Sequence, residues 1–108
     1  MADSRKEFLI RIRPSRLEML SDGGTAAENT LVEQHFRYLS DLGDRGIVML
    51  AGRTLQEGST SFGIVLLRVE SEKHAQEILR GDPAVAGGVF KGELFPFRTA
   101  LSGGSIAG

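Results

Sequence analysis

The segment from Phe62 to Val69 carries apolar side chains on both of its faces, and any fold adopted by this chain must cover both. Successive side chains of an extended strand point in opposite directions. Phe62, Ile64 and Leu66 therefore face one way, and Val65, Leu67 and Val69 the other. Ile47 to Ala51 is a second unbroken apolar run, bounded by glycines. A sheet with one solvated face alternates apolar and polar residues instead. These two strands belong in the middle of something.

The rest of the chain supplies the covering elements. Residues 6 to 13 read as a first strand, with Phe8, Ile10 and Ile12 on one face and Leu9, Arg11 and Arg13 on the other; Pro14 ends it. A connector follows, with one helical turn near Arg16 to Leu20, broken by Gly23 and Gly24. Thr25 with Glu28, and Thr30 with Glu33, each have the spacing of a capping box, and Thr25 is the preferred start of a helix. Leu31, Val32, Phe36, Leu39 and Leu42 form its apolar stripe, and Gly43 or Gly46 stops it. After the apolar run 47 to 51, a polar loop spans 52 to 60 and leads into the strand 62 to 69. Ser71 caps a second helix over 72 to 80, whose Ala75, Ile78 and Leu79 face inward; Gly81 closes it. Asp82 and Pro83 begin a short helical turn, and Val89 to Phe97 is a fourth strand.

Strand, helix, strand, strand, helix, strand is the order of a ferredoxin-like α+β domain, an antiparallel sheet with helices on one face. Two helices cover only one side. The other apolar face would leave a larger patch than monomers usually expose, so a second copy is expected against it, giving a homodimer. The face expected to pair carries Leu9, Val65, Leu67 and Val69. Residues 1–101 are read as one domain, and 102–108 as a flexible, glycine-rich tail.

Composition narrows the partners. Thirteen Lys and Arg stand against fourteen Asp and Glu, so nucleic acid, which binds mainly through a basic surface, is not an expected partner. Arg5, Lys6, Arg11, Arg13 and Arg16 do cluster, which fits a solvated edge strand. There is no cysteine, hence no disulfide and no thiolate nucleophile or zinc ligand. No apolar stretch approaches the roughly 20 residues that span a bilayer, and no leader is visible at the charged start. A soluble, cytoplasmic protein is expected. The two histidines have no carboxylate at metal-ligand spacing, and Gly87, Gly88 and Gly92 lack the lysine-hydroxyl ending of a phosphate loop. Neither a metal nor a cofactor is expected, and these glycines are read as sites of close packing or a bulge.

Three groups of residues resemble the YciI-like (YCII-related) family. They are Glu33-Gln34-His35 followed by Leu39, Ala51-Gly52, and Asp82-Pro83 leading into Ala86-Gly87-Gly88-Val89-Phe90 and Phe95-Pro96-Phe97. The likeness runs from about Phe8 to Leu101. It implies a ferredoxin-like domain that dimerises sheet to sheet as a dimeric α/β barrel. It also implies a cleft in which the helix histidine and the aspartate of the Asp-Pro pair act as a catalytic dyad, here His35 and Asp82. Arg53 departs from the family pattern, standing where some relatives have proline.

Each of these residues also has a plainer role open to it. His35 borders the apolar stripe and suits either a half-buried packing role or general acid/base chemistry, since imidazole titrates near neutrality. Asp82 suits a helix cap before Pro83, or a carboxylate that orients the imidazole; one side chain can do both. Arg53 suits a surface strand end or an anionic substrate. His74 lies in a polar turn and is expected in solvent. Two functions remain: a cofactor-free acid/base enzyme performing isomerisation, lactone chemistry or elimination on a small cyclic or enolisable substrate, and a non-catalytic ligand-binding or accessory domain. For the enzyme, removing His35 is expected to leave stability within about 1 kcal/mol.

Overall fold

In the computed structural model, residues 4–103 are described. Most of the expected flexible tail, from residue 104 on, lies outside them. The elements in chain order are β1 (Lys6–Pro14), α1 (Glu18–Asp22), α2 (Ala26–Asp44), β2 (Val48–Arg53), β3 (Gly63–Val69), α3 (Glu72–Gly81), α4 (Pro83–Ala86) and β4 (Phe90–Phe97). The strands form one antiparallel sheet in the order β2-β3-β1-β4, with the helices on one face. This is the ferredoxin-like arrangement the strand and helix order predicts.

Local chemistry sets the element ends. Thr25 accepts a hydrogen bond from the Glu28 amide, and the Thr25 amide donates to the Glu28 carboxylate, so the capping box is complete. Gly46, at φ +76°, takes the left-handed conformation that turns the chain out of α2. Ser71 caps α3 through the His74 amide. The single turn before α2 sits at 18–22, two residues later than expected.

The core lies between the sheet and the helices. Phe8, Ile10 and Ile12 of β1 and Val65, Leu67 and Val69 of β3 pack against Leu39 and Leu42 of α2 and Ala75 and Ile78 of α3. Two expectations are overturned here. Val65, Leu67 and Val69 belong to the core, not to the face that awaits a partner. Leu9 pairs with Leu66 and with Phe95 and shares the open face with them, so the expected set mixed the two sides. The cause is that β3 is apolar on both faces, and only its register with β1 distinguishes them. Nor is β1 an edge strand: it runs between β3 and β4. Its arginines Arg11 and Arg13 are tied down by Glu93, and Arg16, in the connector beyond the strand, by Glu28.

Contrary to the expectation from its unbroken apolar run, β2 is an edge strand, half-buried to exposed along its length, and it contains an irregularity that matters for the site. Val48 pairs with Leu67, but Leu50 pairs with Leu66, so the register shifts between them. A strand that gains one residue reverses which face its later side chains occupy. Arg53, opposite Gly63, thereby comes to the helix side of the sheet, the side that also carries Ile12. Without the shift it would point to the open face.

Candidate functional site

A cavity of about 760 Å³ opens between α2, the connector before it and the adjacent end of β2 and β3. Apolar side chains dominate its walls, among them Ile12, Met19, Val32, Phe36, Leu39 and Phe90. His35 and Arg53 both line it.

His35 projects inward from the middle of α2 and is buried. Its Nδ1 lies 2.5 Å from Asp82 Oδ2. Asp82 is also buried, and its other oxygen accepts the Ala84 amide at 2.9 Å, capping α4. Pro83 occupies the first helical position, where a missing amide hydrogen costs nothing. The capping and pairing roles weighed for Asp82 thus coexist, one on each carboxylate oxygen.

The geometry also assigns the imidazole. A carboxylate accepts, so Nδ1 carries the hydrogen, and in the neutral imidazole Nε2 is the nitrogen with the lone pair. Nε2 has no hydrogen-bond partner among the described residues. Yet no sealed-off side-chain nitrogen or oxygen among them lacks a partner. Nε2 therefore retains access, and His35 lines the cavity. A side chain only 5% exposed still presents a basic nitrogen to the open space. The rings of Phe36 and Phe90 meet the imidazole edge to face, at 5.2 and 5.1 Å, and restrict its rotation.

Phe36 departs from expectation. Placed in the apolar stripe by its spacing, it is 64% exposed and lines the cavity, while the polar His35 takes the buried position. Hydrophobic spacing alone cannot reveal that exchange. Leu39 and Leu42 are buried as the stripe requires.

Arg53 is exposed at the cavity mouth, and its side chain forms no ion pair or hydrogen bond among the described residues. His74, expected in solvent, is half-buried on α3 and outside the cavity lining. Ser61 was not singled out by any motif. It lies at the end of the loop before β3, is 7% exposed, and lines the same cavity. A lone serine in a glycine- and serine-rich loop carries no sequence signal. Among the described residues, no group of three or more His, Asp or Glu side chains could hold a metal ion. No helix among them is long and apolar enough to cross a membrane.

Tyr38, one turn beyond His35, braces the far side of the pair. Its hydroxyl donates to the Ile78 carbonyl at 2.8 Å, near the end of α3 from which Asp82 emerges. Burial raises the pKa of this phenol above its usual value, and the nearby Asp82 charge raises it further, so the hydroxyl keeps its proton.

Comparison with known proteins agrees with this architecture. A solved structure of 5-chloro-2-hydroxyhydroquinone dehydrochlorinase from Burkholderia phenoliruptrix AC1100, in complex with 2,5-dihydroxybenzoquinone, is similar in fold, with a TM-score of 0.61 and 17% sequence identity. The likeness covers 84% of this chain and 93% of that one. At such identity it speaks to fold and not to activity. No curated protein matches the sequence. The family model of the YCII-related domain matches residues 8–98, a span that holds most of β1, all of β2, β3 and β4, and every residue lining the cavity. The chain belongs to the YCII-related domain family.

Proposed function

We propose that this protein is a cofactor-independent acid/base enzyme acting on a small cyclic, enolisable substrate. The buried His35–Asp82 pair, with its free Nε2 turned to an open apolar cavity, carries this proposal. Nε2 takes a proton from a ring carbon beside a carbonyl. The released electron pair forms a new double bond in the ring. A leaving group on a neighbouring carbon departs as an anion, or the proton returns at a different carbon and the product is an isomer. Asp82 holds the tautomer that makes Nε2 basic and stabilises the imidazolium that follows. Phe36 and Phe90 suit a flat ring at this position. The similarly folded dehydrochlorinase, crystallised with a hydroxylated quinone, lends support by analogy of fold.

A direct His35–Asp82 bond beside an open cavity favours catalysis over the non-catalytic ligand-binding or accessory role. The test is a panel of substituted hydroquinones, hydroxyquinones and small lactones, offered to wild type and to His35→Asn. Turnover that falls about 10²-fold or more in the variant supports the enzyme. Saturable binding with no turnover in either protein would favour the accessory domain.

We further infer that a second copy of the chain covers the open sheet face. Leu50, Phe95 and Phe97 are each more than 40% exposed, and cross-strand pairing puts Leu9 and Leu66 on the same face. A contiguous apolar surface of this kind is the usual mark of an interface. Sedimentation at micromolar concentration should give a dimer, and a monodisperse monomer would exclude it.

A further inference from the structure

We propose that Arg53 and Ser61 form an anion-binding end to the cavity, and that the substrate is a planar ring bearing an anionic oxygen group. This deepens the proposed function and rests on it, because it takes the same cavity as the reaction site.

Three observations converge on the pair. Among the described residues lining the cavity, Arg53 supplies the one permanent formal charge; no Asp or Glu lines it. That cation has no carboxylate partner among the described residues, unlike Arg11, Arg13 and Arg16, each of which is paired. Ser61 is 93% buried by its 7% exposure, yet its hydroxyl has no hydrogen-bond partner among the described residues and is not sealed off. A hydroxyl with no internal partner that still reaches the cavity is placed to donate to a ligand there.

Arg53 and Ser61 also line a second, outer cavity of about 710 Å³, so they stand at the boundary between the two. The outer cavity includes Glu57, whose negative charge opposes an anion placed beyond that boundary. The anionic group of a ligand is therefore held at the boundary, with its ring on the inner, apolar side toward His35. Guanidinium offers a fork of donors to two oxygens, and the serine hydroxyl adds one more. The register shift in β2 gives Arg53 its aim, by turning it to the helix side of the sheet.

The probes are benzoate against benzamide, equal in shape and different in charge, and 4-nitrophenolate against nitrobenzene to separate carboxylate from ring oxygen. Binding is followed by chemical-shift titration of the intact chain, with no turnover needed. Wild type should bind one or both anions at least about 10-fold more tightly than the matched neutral probe. Arg53→Gln should abolish the preference. Ser61→Ala, which removes no internal hydrogen bond, should weaken anion binding about 10-fold while leaving thermal unfolding unchanged. Equal affinity for anion and neutral, or a preference that survives both substitutions, overturns the proposal; so does absence of saturable anion binding. His35→Asn should keep the preference, which separates the two ideas. Anion preference with turnover indifferent to His35 would remove the reaction and leave the site. No preference beside His35-dependent turnover would remove the site alone.

Discussion

His35 and Asp82 stand 47 residues apart in the chain, yet His35 Nδ1 and Asp82 Oδ2 meet at 2.5 Å in the interior. Local geometry does not bring them together; the packing of α4 against α2 does. The burial of both partners changes what His35→Ala should do. Truncation leaves a buried carboxylate with only the Ala84 amide on its other oxygen, so a loss of about 1–3 kcal/mol is expected. That exceeds the near-neutral effect expected from sequence for a catalytic histidine in a partly wet site. Turnover per folded molecule should fall about 10²-fold or more. Thermal unfolding and turnover, measured together, decide the matter: lost stability with unchanged turnover would assign His35 to the core.

Asp82→Asn isolates the electronic role from the cap. The asparagine carbonyl can still accept the Ala84 amide, so the cap is largely kept. Its amide nitrogen would then face His35 Nδ1 as a donor. The imidazole must answer as an acceptor there, which moves its hydrogen to Nε2. A protonated Nε2 cannot take a proton from substrate, and kcat should fall about 10²-fold or more with folding nearly intact. Turnover equal to wild type would show that the tautomer is immaterial.

The fold was legible because its signals are local: caps at Thr25 and Ser71, the Asp82-Pro83 start, and alternation in β1. The His35–Asp82 pairing was legible through family resemblance. Two features were not, and both depend on register. The faces of β3 look alike in sequence, and only the pairing of Leu9 with Leu66 shows which one is open. The shift between Val48 and Leu50 leaves no mark in an apolar run, yet it decides the side on which Arg53 lies. Ser61 was invisible for a different reason, since its importance comes from burial beside a cavity and not from its neighbours in sequence.

An acid-sensitive clasp holds the connector to α2. Arg16 donates from two nitrogens to the two oxygens of Glu28, and the Thr25 amide adds a third bond. The guanidinium first, and then the amide, lower the Glu28 pKa from 4.5 to about 2. A depressed value means the folded state resists protonation. The clasp therefore stabilises fully above about 4.5 and loses its contribution as the pH falls toward about 2. Acid titration followed by circular dichroism should show a steeper loss in this window for wild type than for Glu28→Gln. Identical slopes would mean the clasp contributes nothing to folding.

The open sheet face can be tested by charge. Phe95 lies beside Leu9 in the sheet and is 41% exposed, so Phe95→Lys puts an ammonium into the inferred interface. The dimer dissociation constant should rise about 10-fold or more, because interfacial aromatics often dominate binding. Phe95 is outside the buried core, so secondary structure should be retained. Sedimentation across a concentration series reads the shift, and unaltered assembly would place the interface elsewhere.

Gly92 tests whether close packing holds β4 in place. It pairs with Ile12 on the helix side of the sheet, and a Cβ there would come within 2.5 Å of Leu79 Cδ1. Its backbone is not in the left-handed region, so substitution brings crowding without backbone strain. Leu79 is half-buried against the core and must turn its tip aside, so Gly92→Ala should cost about 1 kcal/mol. Gly43 provides the contrast. It lies within α2, and a Cβ there meets nothing closer than the Val48 carbonyl at 3.9 Å, so Gly43→Ala should stabilise by about 0.5–1 kcal/mol. Activity adds a second readout at Gly92. Phe90, two residues earlier on the same face of β4, packs its ring on His35. If Leu79 is displaced, β4 loses its seat and Phe90 moves with it, so turnover of the Gly92→Ala variant should fall several-fold. A helix substitution at Gly43 should leave turnover alone. Equal melting temperatures for the two variants would show that Leu79 has room to move, and that β4 is not held by this contact.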